Sequence, residues 1–139
     1  MMADVTDATE AAKSLLKACQ SINWRKLAKP STLVPTEDDA GMLIFTGFLI
    51  ASSHLENVLR LFPKLPQALA LKAALELIAG NKKSARKYFK KLLLANPMDI
   101  RCFALLHVLQ DQLEQSKPDC RKILRTMQPV IKKIEKGLV

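Results

Sequence analysis

The chain has 139 residues, of which 49% are hydrophobic, so the sequence predicts one folded domain with a sizeable core and excludes a disordered chain. Its formal net charge is +9. Residues 1–70 are electrically balanced, and the basic excess lies in residues 71–139. This asymmetry indicates an acidic partner, nucleic acid or an anionic surface as ligand, and a solvated basic helix face is the simpler alternative.

Few aromatic residues and many Leu, Ala and Lys favour helix over strand, and an all-α fold is predicted. Cys19, Cys102 and Cys120 are odd in number and widely spaced, which indicates neither a disulfide framework nor a zinc site. The N-terminal residues do not resemble a secretory signal, and the apolar run 42–51 is too short to span a bilayer. We therefore expect a cytoplasmic protein.

Residues 1–35 are predicted to form an N-terminal helix followed by a linker. Thr6 or Asp7 can cap the helix, which has an apolar stripe of helical spacing and should pack on the rest of the domain. Pro30 and Pro35 interrupt regular structure in the linker, where the single Trp24 is expected to be half buried.

Residues 36–139 are predicted to form three consecutive helical hairpins. The first begins at Thr36 and ends before Pro63. The second begins at Pro66, turns at residues 80–81 and resumes from Ser84 to Ala95. In the third, Asp99 caps a helix over residues 100–114, and a last helix runs to about residue 136 with Pro129 as a predicted kink or end.

The first and second hairpins share a sequence repeat with a period of 34 residues. The recurring pairs are Ala51 and Ala85, Leu55 and Phe89, Val58 and Leu92, Leu59 and Leu93, and Pro63 and Pro97. A period of this length is typical of stacked helical hairpins.

Residues 66–99 resemble the tetratricopeptide repeat, because Gly80, Ala85, Phe89, Leu92 and Pro97 stand at its usual spacings. Three residues depart from the pattern, and the first is Leu69, which stands where that family has a large aromatic residue. Lys72 stands where that family has leucine, and Glu76 stands where it often has tyrosine.

The resemblance implies that the first helix of each hairpin lines a concave groove that binds a partner. The predicted groove residues are Leu43, Ala70, Ala74, Leu77, Ala104 and Val108. Alanines replace the polar clamp that a heat-shock co-chaperone needs, so the predicted ligand is an amphipathic helix or apolar peptide. The alternative is that the N-terminal helix or a second copy of the chain fills the groove.

Three small helical hairpins with an apolar groove are also similar to chaperones of type III secretion systems, which hold needle or translocator subunits. This similarity implies a chaperone that keeps an aggregation-prone helix soluble until export. A structural subunit closed by self-association is a further alternative.

A basic patch is predicted on one side of the second repeat's second helix. Its members are Lys83, Arg86, Lys87, Lys90 and Lys91. The patch could meet several phosphates, but no aromatic stacking platform accompanies it, so sequence-specific nucleic-acid recognition is not indicated.

Catalytic motifs are lacking. His54 and His107 stand far apart without a nearby carboxylate or cysteine at ligand spacing, and packing is their expected role. We therefore predict that the protein is not an enzyme and requires no cofactor or metal.

Overall fold

The computed structural model describes residues 10–18, except 12 and 15, and residues 50–136. Within these ranges the chain forms helices joined by short turns and contains no strand, which confirms the all-α fold class. The helices are α1 within residues 10–18, α2 at residues 50–61, α3 at Pro66–Ile78, α4 at Lys82–Ala95, α5 at Ile100–Glu114 and α6 at Cys120–Glu135.

The turn between α3 and α4 is built on Gly80, whose φ is 88°. In this left-handed conformation the amides of Gly80 and Asn81 donate to the carbonyls of Leu77 and Glu76, at 3.1 and 2.8 Å. These bonds satisfy two carbonyls that the end of α3 would otherwise leave unpaired. The chain can then reverse at once, and α4 begins at Lys82, two residues before the predicted start.

The third hairpin starts at Ile100, 34 residues after the second starts at Pro66, as the repeat predicts. Asp99 accepts a hydrogen bond from the backbone N–H of Arg101 at 2.9 Å, so it caps α5 as expected. Pro129 does not end α6, which continues to Glu135. Since Pro129 is exposed, water can reach the carbonyl that its missing N–H leaves unbonded.

Helix α3 is the centre of the core. All of its residues from 68 to 77 are buried, and it packs against α4, α5 and α6. Apart from Lys72 and Glu76, which pair with each other, its buried residues are apolar, which is typical of a helix that is covered all round. The largest contributions to the core come from leucines on several helices, among them Leu55, Leu69, Leu92, Leu105 and Leu109.

Helix α1 lies against α2. The side-chain amide of Asn57 donates to the hydroxyl of Ser14 at 2.8 Å, and Ala11 and Ala18 are buried. The predicted packing of the N-terminal helix is therefore present at these residues. The linker, Trp24 and the first helix of the first hairpin lie outside the described residues, and a tetratricopeptide-type superhelix stays a prediction.

Candidate interaction surfaces

Three of the predicted groove residues lie inside the protein. Ala70 and Ala74 have no exposed surface, and Leu77 is 1% exposed. They are covered because α3 is the central helix of the core, so the expected groove is not open along α3. A partner could reach them only if a covering segment moved away, and their binding role stays a prediction.

The other groove residues are placed differently. Ala104 is exposed and Val108 is half-buried, both on α5, and Leu43 lies outside the described residues. Ala104 and Val108 stand 34 positions after Ala70 and Ala74 in the repeat. Equivalent repeat positions are thus fully buried on α3 and at least partly exposed on α5. The structure therefore does not bring the predicted groove residues that it describes together on one surface.

Helix α5 carries apolar side chains on two faces. Its buried face contains Cys102, Leu105, Leu106, Leu109 and Leu113. Its outer face presents Ile100, Phe103, Ala104 and His107, which are exposed and follow helical spacing. The rings of Phe103 and His107 meet edge to face with centroids 4.8 Å apart, so His107 contacts an exposed neighbour rather than filling the core.

An exposed apolar segment at the end of α4 leads along the chain into the start of α5. We call it the apolar ridge and define it as Leu93, Leu94, Met98, Ile100 and Phe103. Leu94 is 87% exposed and Met98 is 91% exposed. The sequence does contain a signal for this ridge, because Leu94 lies off the stripe of Ala85 and Leu92 that α4 buries.

The predicted basic patch is exposed along α4. Lys83, Arg86, Lys87 and Lys90 line one open depression of about 1100 Å³ beside the Gly80 turn. The ammonium group of Lys91 lies 5.4 Å from the centre of the Tyr88 ring. In the described part of the chain, none of these cations forms an ion pair.

The N-terminal end of α4 has no side-chain cap and no acidic residue in its first turn. The side chain of Asn81, the residue at the capping position, is engaged elsewhere: its amide donates to the Glu76 carboxylate at 2.9 Å. Lys82 donates to the backbone carbonyl of Gln115. The positive end of the helix dipole therefore adds to the lysines beside it.

A second basic cleft lies between α5 and α6. It has a volume of about 330 Å³ and is lined by Arg101, Gln128, Pro129, Lys132, Lys133 and Lys136. Asp99 lies beside it, with one carboxylate oxygen 2.7 Å from Lys133 Nζ and the other 3.6 Å from the guanidinium of Arg101. The hydrogen bond from Lys133 is the main cause that lowers the pKa of Asp99 below its usual value.

The two charged departures from the repeat pattern, Lys72 and Glu76, lie together in the core. Lys72 Nζ lies 3.2 Å from Glu76 Oε1, donates to the hydroxyl of Ser52 on α2, and lies 5.6 Å from the centre of the Tyr88 ring. Since each polar group has a partner, this buried cluster serves packing and offers no open coordination position.

No group of three or more His, Cys, Asp and Glu residues among the described residues could hold a metal ion. Over the same residues, no helix combines the length and apolar character needed to cross a bilayer. Comparisons with protein-family models, with curated proteins and with solved structures found no match to this chain.

Proposed function

We propose that this protein is an interaction module that binds an amphipathic helix of a partner protein on the apolar ridge and the outer face of α5. The observation that carries the proposal is the exposure of Leu94, Met98 and Ile100, at 87%, 91% and 76%. A monomeric protein rarely leaves several large apolar side chains exposed side by side, and such patches mark interaction sites.

The repeat geometry supports a helix as the occupant. Leu69 on α3 is 1% exposed, whereas its repeat equivalent Phe103 on α5 is 49% exposed. Ala70 on α3 is likewise buried, and its repeat equivalent Ala104 on α5 is exposed. A hairpin whose outer face is open to water needs polar side chains there to stay soluble, but the outer face of α5 presents Ile100 and Phe103. A partner helix would cover these positions on α5 as neighbouring helices cover them on α3.

The basic residues beside the ridge favour a different protein as the partner, one with acidic residues next to its apolar stripe. Lys90 and Lys91 stand one helical turn before Leu94, and Arg101 follows Ile100. Acidic residues of the partner would meet these cations. A second copy of this chain would bring its own +9 charge to the interface, so self-association is the less favoured occupant.

A more specific role rests on the resemblance to small secretion chaperones. Such a chaperone, working in the cytoplasm, would use the ridge to shield the apolar stripe of an aggregation-prone helix until export. This refinement is part of the proposal and rests on hairpin size and groove polarity alone.

The test is quantitative co-purification of the tagged protein, followed by binding of a synthetic helix from the captured partner. Leu94→Ser/Met98→Ser removes the two most exposed ridge side chains without changing the charge. Ile50→Ser is the control, because Ile50 is another exposed large apolar residue, 50% exposed, but lies on α2. We expect the double variant to keep its circular dichroism spectrum and lose the partner, and the control to retain it.

Equal recovery of the partner by the double variant would overturn the proposal. A concentration-dependent dimer that the same double variant abolishes, measured by light scattering, would replace it with self-association.

A further inference from the structure

Helix α4 is unusual in its charge. Its 14 residues include six basic side chains and no acidic one. Other helices pair cations with carboxylates, such as Lys133 with Asp99 and Lys122 with Asp111. The five exposed cations of α4 are those of the predicted basic patch, which we call the basic strip from here on: Lys83, Arg86, Lys87, Lys90 and Lys91.

The arrangement of the strip works against the stability of the helix. Lys83 and Lys87 repel each other at a separation of four residues, as do Lys87 and Lys91, and Arg86 and Lys90. Lys82 and Lys83 also stand in the first turn, where the helix dipole favours anions. A bound anion would relieve both effects, and no contact inside the described part of the chain does so.

The dimensions of the strip favour an extended ligand. Lys83 and Lys91 are eight residues apart, which is about 12 Å along the helix axis. A single nucleic-acid strand is such a ligand, because its phosphates follow one another along the chain and the five cations of the strip can contact about three or four of them. The depression beside it is open and measures about 1100 Å³, which suits a chain running across it better than an enclosed small molecule.

The strip offers phosphate contacts and no platform on which bases could stack. Its Lys and Arg side chains can contact phosphates of any base sequence. The ring of Tyr88 is surrounded by the ammonium groups of Lys72, Lys87 and Lys91 at 5.4 to 5.6 Å, and it lies half buried against the core. It is therefore not available as a stacking platform.

We infer that the basic strip binds the phosphate backbone of a single nucleic-acid strand, independently of base sequence. This activity goes beyond the proposed function, since its ligand is a nucleic acid and it does not use the apolar ridge, although Lys90 and Lys91 stand beside that ridge.

The experiment is fluorescence anisotropy with a fluorescein-labelled 20-nucleotide oligouridylate in 50 to 300 mM KCl. Three or four phosphate contacts predict a slope of log K against log salt between about −2 and −3. Arg86→Gln/Lys87→Gln should weaken binding at 50 mM KCl at least tenfold and reduce the steepness of the slope by about 1.4.

Two matched variants locate the site. Lys132→Gln/Lys136→Gln removes the same charge from the α5–α6 cleft and should bind almost as the native protein does. Arg86→Lys/Lys87→Arg keeps the charge on the strip and should retain the slope. Leu94→Ser/Met98→Ser should also retain oligonucleotide binding, which separates this inference from the proposed function.

Absence of saturable binding at 50 mM KCl would overturn the inference. Equal losses in the strip and cleft variants would overturn it too, because the effect would then come from net charge. Strip-dependent binding to vesicles with 30% phosphatidylserine that is tighter than oligonucleotide binding would reassign the strip to a membrane surface.

Discussion

Lys72 and Glu76 form an ion pair inside the protein, with Nζ and Oε1 3.2 Å apart one helical turn from each other. The side chain of Lys72 is 2% exposed and that of Glu76 is 8% exposed. Each residue alone departs from the repeat pattern and would bury a charge, but the opposite charges of the two residues compensate each other. Lys72 also donates to the hydroxyl of Ser52 and lies 3.4 Å from a carboxylate oxygen of Glu56, and the side-chain amide of Asn81 donates to the Glu76 carboxylate.

The first prediction concerns this pair. Glu76→Gln should lower the free energy of unfolding by about 1–3 kcal/mol, because the buried Lys72 ammonium then keeps, among the described residues, only the exposed carboxylate of Glu56, 3.4 Å away, as counter-charge. Lys72→Met/Glu76→Gln removes both charges with little change in volume and keeps an acceptor for Asn81. We expect the double variant to be close to native stability in urea denaturation. A double variant as unstable as the single one would show that the charges themselves stabilise the fold.

The second prediction compares two leucines. Leu105 is fully buried on α5, whereas Leu94 is 87% exposed. Leu105→Ala should cost about 2–5 kcal/mol, because it leaves a cavity in the core. Leu94→Ala should change the free energy of unfolding by less than about 0.5 kcal/mol. A large loss for Leu94→Ala would mean that the ridge is covered within the protein itself and is not a free surface.

The third prediction concerns pH and Asp99. Its pKa is lowered in the folded protein, chiefly by the hydrogen bond from Lys133. A lowered carboxyl pKa stabilises the fold above the unfolded value of 3.8, and that contribution is lost as the pH falls through the folded pKa. Asp99→Asn keeps a helix cap but removes the charge, so it should be less stable than the native protein at pH 7.

This difference should shrink below about pH 4, which thermal unfolding as a function of pH would measure. Asp99→Ala serves as the comparison, because it also removes the cap and should lose about 1 kcal/mol more across the pH range. A destabilisation of Asp99→Asn that did not change with pH would contradict an electrostatic role for the carboxylate.

The fourth prediction concerns Cys102, a buried free thiol. Burial is the main cause that raises the pKa of Cys102 to about 11, and the nearby Asp99 adds to it. In a Cys19→Ser/Cys120→Ser background, alkylation at pH 8 should be at least about a hundredfold slower than for a free cysteine, since the thiolate is the reactive form. Rapid labelling without denaturant would show that this part of α5 opens in the native protein.

Much of the local structure could be predicted from the sequence. Asp99 and Pro66 mark the starts of α5 and α3, and both helices begin there. Caps, turns and prolines act within about one helical turn, so their effect does not depend on distant residues. The basic strip was predictable for the same reason, because charges spaced by three and four residues share one side of a helix wherever the helix lies.

What surrounds each helix was decided by the tertiary structure alone. Ala70 and Ala104 occupy the same repeat position, yet one is covered and the other is exposed. Lys72 and Glu76 look like solvent-facing residues in the sequence, but Ser52 of α2 and Tyr88 of α4 enclose Lys72, and Asn81 satisfies Glu76. Helical spacing determines which side chains share a face, whereas burial depends on which other helices pack against that face.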